Sequence, residues 1–162
     1  MSTTTTGSPA SQAPASTWGA RPDGALDPRA PQFAAALTVV VLAGVLLLPT
    51  PWATGLLAVQ AAIFGLGAGL GVQATPYAWL FRTLVRPRLA PTSEWEAPEP
   101  PRFAQGVGLG FALVGLVGFV LGAPLLAQVA VGAALTAALL NALFRFCLGC
   151  EVYLLARQYA FH

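Results

Sequence analysis

Cys147 and Cys150 are the only cysteines of the chain, in the run Arg145-Phe-Cys-Leu-Gly-Cys-Glu-Val-Tyr153 where the last long apolar stretch ends. Two cysteines placed at random over such a length would fall three apart about once in eighty, so the spacing reads as selected. Thiols so placed can exchange disulfides, carry sulfur or bind metal. On one helix, i and i+3 share a face, close enough for a disulfide. The sequence places the pair at the carboxyl end of the fourth apolar helix, where unpaired carbonyls disfavour thiolate. Glu151 disfavours it further, and Arg145 is the nearby cation that tunes the other way. Slow alkylation follows from that placement, although Gly149 can break the helix and change the geometry. Zinc needs four ligands, and the single histidine is His162, so no metal site is expected within one chain. An all-thiolate site shared by two copies, or plain burial as small hydrophobes, are the alternatives.

The elements that must position this pair are membrane helices. Hydrophobic residues make up 56% of the 162 and charged residues 9%, with a mean hydropathy of +0.70. No charge occurs over the 52 residues from Ala30 to Phe81, nor over the 42 from Phe103 to Phe144. A span needs about 20 apolar residues to cross about 30 Å of hydrocarbon, so each run holds two spans and a tight turn. The fold class expected is an all-α membrane protein with four transmembrane helices as two hairpins. A short amphipathic interfacial helix follows the second span. A soluble bundle would alternate charged and apolar faces, which these runs lack. The net charge of +2 is too small to argue for nucleic acid.

Residues 1–30, rich in Ser, Thr, Pro and Ala, read as a disordered cytoplasmic tail, and residues 31–162 as the transmembrane domain. Spans are expected from Gln32 to Leu48, Trp52 to Gln73, Phe103 to Leu121 and Pro124 to Phe146. Thr75-Pro76 has the form of a helix restart, Thr75 as cap and Pro76 in the first turn. Behind it, Arg82 and Arg86 share one face while Trp79 and its neighbours are apolar, which suits a helix in the headgroup layer holding anionic lipid. A straight extension of the second span is the alternative. Residues 87–102, with Glu94, Glu96, Glu99 and five prolines, form an extended connector.

With four spans, all eight arginines fall on one side, which the positive-inside rule makes cytoplasmic. Both termini are then cytoplasmic. The arginine-only basic set, with abundant Ala, Gly and Pro, fits a bacterial inner-membrane protein. Pro31-Gln-Phe-Ala34 matches Pro101-Arg-Phe-Ala104, and Leu80-Phe-Arg82 matches Leu143-Phe-Arg145, which suggests a parallel repeat of the hairpin. Glycines at 65, 67, 69 and 71, and at 106, 110, 118 and 122, allow close helix approach within the bundle or a homodimer face. No acidic residue lies inside a span, which argues against a pump or coupled transporter.

The stretches Asp27-Pro-Arg-Ala-Pro-Gln-Phe33, Pro101-Arg-Phe-Ala-Gln105 and Leu140 to Tyr153 carry a resemblance to a bacterial family designated domain of unknown function 4395. The resemblance covers about residues 25 to 158. It implies a four-helix membrane protein whose companions are thioredoxin- or rhodanese-type sulfur proteins. The function expected is a cytoplasmic-face dithiol, Cys147 and Cys150, that exchanges disulfide or sulfur with a soluble thiol partner. No cofactor is expected. The alternative is a non-catalytic scaffold, dimeric or not, whose cysteines only pack.

Overall fold

The computed structural model describes residues 24–161. Helix α1 spans Arg29–Leu47, α2 Thr50–Gly69, α3 Pro76–Leu80, α4 Glu99–Val120, α5 Pro124–Phe144 and α6 Leu148–Ala160. Four of these, α1, α2, α4 and α5, are long and apolar enough to cross a membrane. At about 1.5 Å per residue, a 20-residue helix spans about 30 Å, the thickness of a hydrocarbon core. Their outer faces suit that solvent: Val40 is 70% exposed, Leu47 85% and Val120 77%. Side chains of this kind spread over every span would drive aggregation in water and cost nothing in lipid. The chain is a multi-pass membrane protein.

Proline and glycine set most of the boundaries. Pro49 precedes α2, Pro51 sits in its first turn, and Pro124 opens α5, positions where a missing N–H costs no hydrogen bond. The turn before α5 passes through Gly122 at φ +69°, a left-handed conformation that favours glycine. Helix α4 starts at Glu99 rather than at Phe103, because Pro100 and Pro101 fit its first turn and Glu99 complements its positive end. The second span stops at Gly69 rather than running to Gln73, and Gly71 at φ +98° redirects the chain. Thr75 then caps α3 as its type suggests, its Oγ1 accepting from the Ala78 N–H at 3.2 Å. A π-helical turn at Phe81–Val85 and a 3-10 turn at Arg86–Arg88 continue from α3.

The disordered tail expected over residues 1–30 does not describe its last residues, 24–30. Residues 1–23 lie outside the described residues. Leu26, however, is only 5% exposed and pairs with Glu96 through two backbone hydrogen bonds of 2.8 and 2.9 Å. Arg29 already lies in α1, its guanidinium paired with Asp27 at 3.1 Å. A pairing between segments so distant in sequence leaves no local pattern to read.

The spans pack in a ring: α1 on α2, α2 on α4, α4 on α5, and α5 back on α1. Leu42, Leu57, Ala112 and Val131 meet in its core. Glycine permits the tightest approaches. A Cβ on Gly118 would lie 2.7 Å from the Ala127 backbone nitrogen, and one on Gly115 would lie 2.9 Å from Leu57. Gly65, Gly69 and Gly110 meet nothing within 4 Å. The α4 contacts, not the alternating glycines of α2 as a set, therefore explain the close packing.

The two halves, α1 to α3 and α4 to α6, correspond in detail. Phe33 of α1 meets Phe81 beyond α3 at 5.8 Å, and Phe103 of α4 meets Tyr153 of α6 at 5.6 Å. Gln32 donates to the Ala142 carbonyl at the end of α5 (2.8 Å), while Arg102 donates to the Ala68 carbonyl at the end of α2 (2.6 Å). Each half thus satisfies orphan carbonyls of the other. The Pro31–Ala34 and Pro101–Ala104 match marks this correspondence. The Leu80–Arg82 and Leu143–Arg145 match does not, because the first lies at and beyond the end of α3 and the second ends α5.

Gly118→Ala should destabilise the bundle by about 1–3 kcal/mol, as overpacking against backbone does. Gly110→Ala, with open space around it, should be neutral or slightly stabilising. Unfolding in detergent followed by circular dichroism checks this, and equal stability of the two variants would contradict the packing order.

Candidate functional site

The dithiol does not sit at the end of the fourth helix. Helix α5 stops at Phe144, and Arg145 adopts φ 55°, ψ 24°, the only positive φ of a non-glycine residue among the described residues. Its N–H still closes on the Asn141 carbonyl at 3.1 Å, and the Phe146 N–H closes on that of Leu140 at 3.3 Å. The Arg145 Nε donates to Gln32 Oε1 at 3.2 Å, the same Gln32 that caps Ala142. A left-handed residue with a side chain costs roughly 1–2 kcal/mol, which these hydrogen bonds offset. The chain leaves the α5 axis here.

Cys147 consequently caps the amino terminus of a new helix. Its φ of −87° and ψ of 98° are extended, and its Sγ accepts from the Cys150 N–H at 3.3 Å. Cys147 and Cys150 are joined by a disulfide, with Cα atoms 5.2 Å apart. This reverses the electrostatic expectation. The Cys150 N–H and the positive end of the α6 dipole lie at the first sulfur and favour a thiolate there. Glu151 is exposed in the first turn of α6, where its charge opposes that thiolate but stabilises the helix.

Helix α6 docks on α4 through Gly149. A Cβ at Gly149 would lie 2.6 Å from the Ala104 Cβ and 2.7 Å from its Cα, so only glycine lets the two backbones approach. One turn on, Tyr153 packs against Phe103 with the rings tilted at 44°, and the Arg157 guanidinium lies 5.9 Å from the Tyr153 ring. The glycine inside the cysteine pair is a contact residue rather than a helix breaker.

Arg145, expected to tune the thiols, is engaged with Gln32 and positions the start of α6. Its charge also pulls down the Glu96 carboxyl, which partial burial pushes above the usual carboxylate range. Trp79 is 58% exposed, and Arg82 and Arg86 are exposed at the same end of the bundle as the cysteines. Arg82 donates to the Gln73 carbonyl at 2.9 Å. Both arginines and Cys147 line the same cavity. Among the described residues no group of three His, Cys, Asp or Glu could hold a metal, and His162 lies outside them.

A cavity of about 530 Å³ opens beside the pair, walled by Cys147, Gly149, Asn141, Gln105, Phe111 and Trp95 among others. The Gln105 Oε1 is buried without a hydrogen-bond partner. Gln105 and Asn141 stand in the sequence as polar breaks in apolar runs. Their isolation in those runs was the available signal.

A family model matches residues 26–158, from the buried Leu26 to the third turn of α6, and so includes the disulfide. The chain belongs to the family described as domain of unknown function (DUF4395). No curated protein and no solved structure matches it. The disulfide and its docking helix therefore lie inside the unit that defines this DUF4395 member, not in an appendage.

Gly149→Val should push α6 off α4 and speed tryptic cleavage after Arg157 roughly tenfold, through local unfolding. Gly132→Val, with nothing within 4 Å, is the control. Equal cleavage of both variants in detergent would contradict the docking.

Proposed function

We propose that this DUF4395 protein carries a membrane-surface dithiol, Cys147 and Cys150, that exchanges disulfide with a soluble thiol partner. The observation that carries the reading is Cys147 at the α6 N-cap, its Sγ accepting the Cys150 N–H. A partner thiolate attacks the Cys147 sulfur, breaks the Cys147–Cys150 bond and leaves a thiolate on Cys150. The partner's second thiolate attacks its own sulfur in the mixed disulfide and releases Cys147 as a thiolate at the helix amino terminus. The partner dithiol becomes a disulfide and the pair is reduced, so electrons balance. A thioredoxin-like dithiol protein is a partner of the right chemistry.

The side is the bacterial cytoplasm, with both termini there. The arginines of the described residues all lie at the end of the bundle where α1 and α4 start, and the opposite turns carry no charge. On the same face Trp79, Arg82 and Arg86 would meet anionic headgroups. A structural role is the second reading, favoured by the docking of Gly149, since the disulfide also pins the first turn of α6.

The Cys150→Ser protein should form a mixed disulfide with oxidised glutathione at Cys147 roughly tenfold faster than Cys147→Ser forms one at Cys150. Mass spectrometry of both reactions reads this directly. Equal, slow reaction of the two would leave the pair a structural staple.

A reporter fused at His162 should be active in the cytoplasm and silent in the periplasm. Periplasmic activity from a full-length inserted fusion would reverse the orientation.

A further inference from the structure

The disulfide stands on the wall of a chamber as well as at a helix end. The cavity of about 530 Å³ is bordered by all four spans, and Phe64 and Ala134 of the packed core form part of its wall. Ligand pockets run to roughly 300–1,000 Å³, so this volume suits a small molecule and not a folded protein. Of the two cysteines, Cys147 lines it and Cys150 does not. Arg82 and Arg86 also line it, and both are exposed at the charged end. A polar ligand therefore has its approach from water at that end, not through the hydrocarbon.

Charge decides what the chamber can take. Three ionised side chains stand on its wall, Asp27, Arg82 and Arg86. Asp27 is engaged by Arg29, whose Nε and Nη2 each donate to it at 3.1 Å. Arg82 gives one N–H to the Gln73 carbonyl at 2.9 Å, and the Arg86 side chain makes no hydrogen bond among the described residues. Neither arginine has a carboxylate partner among those residues. A guanidinium carries five N–H donors, so both keep donors for an incoming carboxylate, which arginine binds in two-pronged fashion. A cleft whose uncompensated charge is positive concentrates small anions. The sulfur on the same wall then selects, among such anions, those that a thiolate can attack.

We propose that this chamber admits small disulfides bearing carboxylates, and that the reduced Cys147–Cys150 pair reduces them there. The Cys147 thiolate attacks one sulfur of the ligand, the ligand S–S bond breaks, and the other half leaves as a thiolate. Cys150 gives its proton to water and attacks Cys147 in the mixed disulfide, which re-forms the protein S–S bond and releases the second half as a thiolate. The released thiolates take up protons from water, and the soluble dithiol partner supplies the two electrons of each cycle. The proposal rests on the dithiol-exchange reading above and adds its small-molecule substrate.

The full-length protein in phosphatidylcholine nanodiscs is reduced with a phosphine, freed of it, and mixed anaerobically with one of two disulfides. Dithiodipropionate carries two carboxylates, and cystamine two ammonium groups on a chain of similar length. Closure of the protein disulfide is followed by mass-tagging the remaining thiols. The rate with dithiodipropionate should saturate and should fall with added suberate, which has the same charges and length but no sulfur. The rate with cystamine should rise linearly. Arg86→Gln should lower the ratio of the two rates roughly tenfold, as loss of a charge-assisted hydrogen bond does, while Arg88→Gln, outside the cavity, should leave it unchanged. Linear rates with both compounds, and a ratio that Arg86→Gln does not move, would overturn the chamber site and leave the dithiol exchange standing. An equal fall in Arg88→Gln, as diffuse surface charge would give, overturns the site in the same way. A reduced pair that neither compound closes removes the exchange reading and the proposal with it.

Discussion

Everything at the charged end of the molecule depends on α5 ending at Arg145 in a left-handed conformation. Had the helix run on, both cysteines would face the negative end of a dipole, and the disulfide would interrupt the backbone hydrogen bonding of a regular helix. Instead Gln32 binds the Arg145 side chain and the Ala142 carbonyl together, holding the turn from the start of another span. The chain re-enters a helix two residues later with Cys147 as its cap. One glutamine therefore links the first span to the chemistry after the fourth.

That arrangement belongs to a pattern present twice. In each half, two spans are followed by a short capped helix that packs against the first span of its own half. In each, the residue after the opening proline caps carbonyls of the opposite half. Helix ends near the hydrocarbon boundary cannot rely on water alone, so exchanged capping ties the halves together where orphan carbonyls cost most. Only the second half carries sulfur: where Cys147 accepts from Cys150, Thr75 accepts from Ala78. The oxygen cap holds a helix start, and the sulfur cap adds a redox bond to it.

The spans were legible because absence of charge over tens of residues has one economical solution. Thr75-Pro76 was legible because cap and proline act locally. The end of α5 was not, since Arg145 is neither glycine nor proline and its conformation is enforced by Gln32, far off in sequence. Gly149 was read as a breaker when its smallness answers Ala104 on another helix. Leu26 was assigned to a tail for the same reason, its bridge partner being the distant Glu96. Local rules found the elements; contacts between distant segments decided where the cysteines stand.

The position of Cys147 at a helix amino terminus is tested most directly by the pH dependence of its alkylation. The Cys150→Ala protein and a peptide of residues 143–154 with the same substitution are treated with iodoacetamide at pH 6 and pH 9. Taking the ratio of the two rates for each cancels differences in access. The folded protein should retain a larger share of its pH 9 rate at pH 6 than the peptide does, because the helix stabilises thiolate. A smaller share, as a helix carboxyl terminus would impose, would contradict the account.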